Sequence, residues 1–498
     1  MASEQAARFE LVETTVADVH RAYRSGRLTC RQLVGMYLER IEANDKKGPA
    51  LNAIVSINPR ALEEAEKLDA AYRASGPVGP LHGIPIILKD QMDAAGMPTT
   101  LGSLLFKDFY PDRDSTVTAR LKKAGAVIVG KATLGELGGG DTHGSLFGST
   151  KNPYALDRTP GGSSGGPAAA VAANYATLAV GQEGLASIRR PAGWNSLAGM
   201  RPTAGMVSRA GVYEGWPGIA GVLGPLCRTV TDLALTLDAM VGYDPEDPVT
   251  AAGVGHFPRT FTDFLDKDGL KGKRIGILRE PMGLFSEPDS DDFREITRVF
   301  DRSVGELAAA GAEIVDPIVI PELNALLATR PGSFFGSEQT FKVYMDRNKK
   351  PPFRNRDEAL KDPAFARADH RAQARWTRVP DEKAHYTFLK AREKLMFNML
   401  KVMADHQLDA IAHKAVEHSA TLISQGVNPP YVDQKGSPHI NTFLVFVPTI
   451  VVPAGFTAQN LPAGLCFLGR PYDDGLMVKL AYAYEQATMH RRPPTTLV

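Results

Sequence analysis

Glycine and proline crowd the stretch from about residue 80 to residue 225, where they bracket short apolar runs such as Ile84–Leu88 and Ala126–Val129. Apolar runs this short, cut off by residues that break regular structure, read as buried strands. Upstream, Thr29 and Gln32 have capping-box spacing, and Leu33, Tyr37 and Ile41 then fall on one helical face. A second helix is expected over Ala61–Ala74. Residues 166–178, GPAAAVAANYATL, read as a buried small-residue helix with Pro167 in its first turn, where a missing N–H costs little. Downstream, Arg274–Leu278 reads as a strand. Phe293, Ile296, Phe300, Val304 and Leu307 recur at helical spacing up to Gly311, and EIVDPIVI follows as a second strand. That is a β-α-β unit. TIVVPAGF, GLCFLG and an amphipathic helix over Leu476–Ala487 repeat the theme, so an α/β layered fold is expected.

The 498 residues divide by pattern into an N-terminal helical region over 1–80, an α/β core over 81–330, a polar helical insertion or cap over 331–400, and a return to the same core over 401–498. The insertion, with its KKPPFRNRDEALKDP, reads as a solvated helical segment; the functional alternative is a cap shaping substrate entry. Lys and Arg number 57 against 56 Asp and Glu, which gives no basic bias toward nucleic acid or an anionic membrane. Cys30, Cys227 and Cys466 lie too far apart for a disulfide framework or a thiolate metal site. FLVFVPTIVVPAGF is too short to span a bilayer and contains two prolines. The N-terminus lacks a basic segment followed by an apolar one, so a cytoplasmic location is expected.

Three motifs fail on inspection. Gly125, Gly130 and Lys131 match a phosphate-loop spacing, but the intervening AVIV is apolar and β-branched, a strand rather than a flexible cradle. Ser164 in GSSGG matches a nucleophile elbow, yet YALDRTPG before it is turn-like and polar where an elbow needs a strand. His413 and His418 are not spaced for one helical face, and metal ligation is not expected.

What remains is GIPIILKD (Gly83–Asp90), TPGGSSGG (Thr159–Gly166) and GQEGLASIRRPAG (Gly181–Gly193). Singly these are a solvated strand end and flexible linkers. In this order they resemble the amidase signature family of serine hydrolases. The likeness continues through GMPTTLGS, GKATLGEL, MRPTAGMVSRAGV, GPLCRTVTDLALTLDAM and PTIVVPAGFTAQNLPAGLCFLGRPYDD. It implies the amidase-signature fold: a large mixed β-sheet covered by helices on both faces.

The resemblance implies a catalytic triad of Lys89, Ser163 and Ser187. Ser187 is the implied nucleophile, Ser163 the bridging serine after Gly162, and Lys89 the base. The residue types suit the chemistry. A serine hydroxyl must lose its proton as it attacks. A lysine accepts that proton only when neutral, so its pKa must fall to about 7–8. The apolar run IPIIL before Lys89 points to desolvation as the cause. The oxyanion donors implied by the family fall on Gly184, Leu185 and Ala186, with the Ser187 N–H. Here the chain departs from the family's T-D-x-G-G-S, since Leu185 and Ala186 replace two glycines. If those positions need positive φ, the hole is distorted; if not, the N–H groups still serve and the side chains narrow the pocket. Glu183 is expected to pair with Arg189 and support the loop, beside Gly162 and Ser164.

Gly138, Gly139 and Gly140 are expected to leave room at the site, with Trp194, Trp216 and Phe147 as candidate walls against the simpler reading of core packing. The implied function is hydrolysis of a small amide, apolar or aryl, with carbamates and esters compatible. No cofactor and no metal are implied, and a homodimer is the default expectation. Two alternatives stand: the glutaminase subunit of a tRNA-dependent amidotransferase, or an inactive binding protein on the same scaffold.

Overall fold

The apolar runs expected as strands all enter one sheet. The computed structural model describes residues 9–497. The strands are β1 (Ile54–Ile57), β2 (Pro85–Lys89), β3 (Val127–Ala132), β4 (Leu178–Glu183), β5 (Ala198–Arg201), β6 (Val222–Cys227), β7 (Arg274–Leu278), β8 (Glu313–Ile318), β9 (Ala410–Lys414), β10 (Thr449–Phe456) and β11 (Pro462–Leu468). Their spatial order is β1-β3-β2-β4-β6-β5-β10-β11-β9-β7-β8. The sheet is mixed: β2 lies parallel between β3 and β4, whereas β4 and β6 are antiparallel. β7 and β8 are parallel and joined through the helix Asp291–Ala309, the expected β-α-β unit.

Strand alternation sorts side chains onto two faces. Ile86 and Leu88 of β2 join a layer of large aliphatics with Leu178, Val180 and Leu223, covered by the helices Val16–Arg24, Val230–Met240 and Asp474–Thr488. Ile87 faces the other way, into a layer dominated by Ala168–Ala173, Ala179 and Ala192. Lys89, two residues beyond Ile87, therefore belongs to the small-residue face. The helix Gly165–Ala172 approaches that face so closely that a methyl on Gly166 would stand 2.2 Å from the Thr133 carbonyl oxygen.

Local signals explain the helix ends. Thr29 and Gln32 form a reciprocal capping box at the start of Cys30–Asn44. The small-residue helix is shorter than the expected 166–178, ending at Ala172. Asn174 adopts φ 59°, a left-handed conformation that asparagine tolerates, and the chain turns there into β4. The first 80 residues are not wholly helical either, because β1 pairs antiparallel with β3. Gly130 and Lys131 lie within β3, with Lys131 Nζ 3.1 Å from the equally buried Asp90 carboxylate.

The insertion is polar in composition yet not simply solvated. Its helices Ser337–Met345, Arg356–Lys361 and His370–Thr377 contribute Phe341, Tyr344, Ala359 and Trp376 to a separate core with Leu101, Phe106 and Phe109. Phe341 and Trp376 meet edge to face at 5.8 Å. Among the described residues no helix is long and apolar enough to cross a membrane.

The close approach of Gly166 yields a paired prediction. Gly166→Ala forces a methyl against backbone and is expected to destabilise the protein by about 1–3 kcal/mol or more. Gly35→Ala, mid-helix with nothing within 4 Å of the added methyl, is expected to stabilise it by about 0.5–1 kcal/mol. Thermal unfolding of the two variants checks both signs; a Gly166→Ala melting temperature equal to wild type contradicts the packing argument.

Candidate active site

Three segments of the small-residue layer converge at the C-terminal end of β2. The strand ends on Lys89; the turn before helix Gly165–Ala172 carries Ser163; and the loop from β4 to the helix Arg189–Trp194 carries Ser187. Lys89 Nζ donates to Ser163 Oγ at 2.7 Å and to the Gln182 carbonyl at 3.2 Å. Ser163 Oγ in turn lies 3.0 Å from Ser187 Oγ. Lys89 is fully buried and Ser163 almost so, whereas Ser187 keeps partial exposure. Burial pushes the Lys89 amine down to about 7, against the opposing pull of the Glu214 and Glu183 carboxylates.

The Gly162–Ser163 peptide is cis. Gly162 is required by close approach: a methyl there would stand 2.3 Å from the Gly140 carbonyl oxygen. The Gly162 carbonyl accepts from Arg190 Nη2 at 2.7 Å, and the same nitrogen is 2.9 Å from Asp141. Neither Arg190 nor Asp141 stood out in the sequence, because an arginine beside Arg189 and an aspartate after three glycines carry no spacing signal. Ser164 lies at the N-terminal boundary of its helix and is bound on both sides by Gln182, donating to its carbonyl and accepting from its N–H.

The loop from Gly184 to Ser187 is fixed from beneath. Glu183 meets Arg189 Nε at 2.7 Å with both side chains fully buried, and its other oxygen accepts from the N–H groups of Ile188 and Arg189. Arg189 Nη2 then donates to the Leu185 carbonyl at 2.6 Å. Neither Leu185 nor Ala186 has a positive φ, so replacing glycine there brings no left-handed strain. The N–H groups of Gly184, Leu185, Ala186 and Ser187 have no acceptor among the described residues. A methyl on Gly184 would meet nothing within 4 Å, so the loop borders open space. Free N–H groups next to an accessible hydroxyl suit an oxygen that gains negative charge.

The expected room at Gly138–Gly140 is not empty. Glu214 Oε2 lies 3.2 Å from where a methyl on Gly138 would stand, Arg375 of the insertion 2.7 Å from that on Gly139, and Asp433 3.2 Å from that on Gly140. The glycines admit charged side chains from other segments, so this flank is polar rather than neutral. Trp194 is core rather than wall: it is buried with Val416 and Ala420, and its indole N–H donates to the His418 carbonyl at 2.8 Å. Trp216 is 38% exposed, and Phe147 packs against Gly102. His413 is buried with Nδ1 against the Lys414 carbonyl, and His418 contacts Asp292. Among the described residues no group of three or more His, Cys, Asp or Glu side chains is arranged to hold a metal.

The chain is similar along nearly its whole length to known proteins. The amidase family model matches residues 32–478. A probable amidase of Arabidopsis thaliana is 32% identical over 98% of this chain and 92% of its own length. A glutamyl-tRNA(Gln) amidotransferase subunit of Moorella thermoacetica is 31% identical over 97% of this chain and 99% of its own. The crystal structure of native peptide amidase from Stenotrophomonas maltophilia superposes with a TM-score of 0.85 at 33% identity, covering 97% of this chain and 99% of that one. Matched nearly end to end in sequence and in fold, the chain belongs to the amidase family, hydrolases that act on carbon–nitrogen bonds.

Proposed function

We propose that this protein cleaves a small amide through an acyl-enzyme on Ser187, with Ser163 as the bridging hydroxyl and Lys89 as the base. The observation that carries the reading is the unbroken line from Lys89 Nζ through Ser163 Oγ to Ser187 Oγ, of which only the last is open to solvent. With the amine charged, Lys89 donates to Ser163. Once it is neutral, the hydroxyl hydrogens rotate and the bonds run the other way, Ser187 donating to Ser163 and Ser163 to Lys89. Ser187 then attacks the carbonyl carbon as its proton passes along the line. The oxyanion faces the free N–H groups of Gly184–Ser187. Collapse expels the amine, which takes the proton back through Ser163, and water attacks the acyl-enzyme by the same relay. Carbamates and esters share the tetrahedral step and fall within the proposal. The apolar side chains of Leu185 and Ala186 favour an aryl or aliphatic group beside the nucleophile. The insertion, anchored by Arg375 to the Glu136 carbonyl at 2.6 Å, is proposed as a cap over the flank formed by the loop from Gly135 to Asp141.

A second reading has one observation in its favour: relatives of similar identity are named as glutamyl-tRNA(Gln) amidotransferase subunits. A glutaminase of that kind would act on glutamine within a complex. Turnover of aryl amides by the purified chain on its own favours the first reading; glutamine hydrolysis confined to a complex favours the second.

Three predictions test the relay. Ser187→Ala is expected to lower kcat on an aryl amide by at least about a thousandfold with unchanged thermal unfolding; appreciable residual turnover removes Ser187 as nucleophile. For Lys89, kcat/KM of the wild type is expected to rise with pH through about 7 and then level off, because only the neutral amine accepts the proton. Lys89→Ala should lose about 10²–10⁴-fold at neutral pH, its remaining rate climbing with hydroxide. A Lys89→Ala enzyme of wild-type rate at pH 7 is incompatible with the relay.

A further inference from the structure

Glu214 stands close enough to the triad for its carboxylate to act on Lys89 through space. Its Oε2 lies 3.2 Å from the methyl position of Gly138, within the loop that presses on Gly162. Its backbone carbonyl stands 3.4 Å from the methyl position of Gly221, which is also 2.6 Å from Gln182 Nε2. Gln182 is the residue whose carbonyl accepts from Lys89. Glu214 thus stands between the two segments that flank the triad.

Its own state is unusual. The residue has φ 64°, a left-handed conformation uncommon outside glycine and costly for it. Such outliers cluster at ligand-contacting positions. The side chain is exposed, yet its carboxylate accepts no hydrogen bond and forms no ion pair among the described residues. Protein nonetheless surrounds it closely enough to strip hydration and raise its carboxyl above the ordinary range. Glu214 is thus an accessible carboxylate beside the triad with no side-chain partner among the described residues.

The nearest cations do not neutralise it. Arg375 and Arg356 act on it through space without ion-pair contact; Arg375 donates to the Glu136 carbonyl, and Arg356 to the Trp376 carbonyl with its guanidinium over the Trp376 ring. Lys89 is committed to Ser163.

We propose that Glu214 is a specificity-determining residue whose carboxylate takes a protonated amine of the substrate, so that preferred amides carry a primary ammonium group as well as the scissile bond. The proposal rests on the acyl-enzyme reading above and adds the class of substrate. The ammonium fits better than a neutral donor because a partly desolvated carboxylate gains more from an opposite charge than from a neutral hydrogen bond.

The test compares alanyl and γ-aminobutyryl p-nitroanilides, each beside its uncharged isostere, isobutyryl and pentanoyl p-nitroanilide, at pH 7. The readout is the ratio of kcat/KM within each pair, in wild type and in Glu214→Gln. The isosteric change keeps the shape, and turnover of the uncharged member shows that the variant folds and acylates. Wild type is expected to favour at least one ammonium substrate, and Glu214→Gln to lower that ratio by about tenfold. That lies between the few-fold worth of an exposed ion pair and the larger penalty of breaking a buried one. A ratio equal in both proteins, or a wild type that favours the uncharged isosteres, overturns the proposal. If wild type turns over neither pair but is labelled on Ser187 by a fluorophosphonate, protection from labelling decides. Protection by n-butylammonium beyond that by n-butanol, lost in Glu214→Gln, supports the assignment; equal protection refutes it. A wild type that takes no label instead fails the acyl-enzyme reading, and this proposal falls with it.

Discussion

A lysine amine with no contact to water is the constraint on which the site depends. Lys89 ends a strand of five buried residues, and its cost of carrying charge there is what brings the amine to about 7. A buried ammonium would be unfavourable without compensation, and the compensation offered is modest: one hydroxyl, one carbonyl, and carboxylates acting from a distance. The packing that buries it follows from sequence. Alanines and glycines fill the helix Gly165–Ala172 and let it lie almost on the sheet, excluding water from the face toward which Lys89 points. A layer of larger residues would hold the helix farther away and lengthen the 2.7 Å contact to Ser163.

The loop around Ser187 shows a second solution to a familiar problem. Glycines are expected where backbone N–H groups must face a ligand, yet this chain has Leu185 and Ala186. The buried Glu183–Arg189 pair makes that possible. It consumes the N–H groups of Ile188 and Arg189 and the carbonyl of Leu185 from within, leaving the N–H groups of Gly184–Ser187 without an acceptor among the described residues and at ordinary φ. Removing one partner of such a pair strands an uncompensated charge, and so the loop, Ser187 and the pair stand or fall together. The neighbouring Arg190 performs the matching task for Ser163 by holding the Gly162 carbonyl.

Much of this was legible in the chain itself. Short apolar runs between glycines and prolines marked the strands, the Thr29–Gln32 spacing marked a helix start, and the resemblance to the amidase signature family pointed to Lys89, Ser163 and Ser187, whose side chains the fold brings into one hydrogen-bonded line. What was not legible depends on contacts between distant segments. The small-residue helix looked longer than it is because Ala173 and Ala176 continue its run of small residues, whereas the chain leaves the helix at Ala172 and turns at Asn174 toward β4. The polar insertion concealed Phe341 and Trp376, whose partners Phe106 and Phe109 lie more than two hundred residues earlier. Three consecutive glycines suggested vacant space, whereas Glu214, Arg375 and Asp433 reach into it from three separate parts of the chain. Composition shows where a side chain is small; it does not show which remote side chain takes the room.

The most direct test of the account joins the accessible Ser187 to the buried Lys89 in one measurement: the rate at which a small fluorophosphonate modifies the protein as a function of pH, with the adduct located by mass spectrometry. The account predicts a single adduct on Ser187 whose rate of formation climbs through pH about 7 and reaches a plateau. An adduct on another residue, or a Ser187 rate that is flat across that range or rises only near the ordinary lysine pKa of about 10.4, would contradict it.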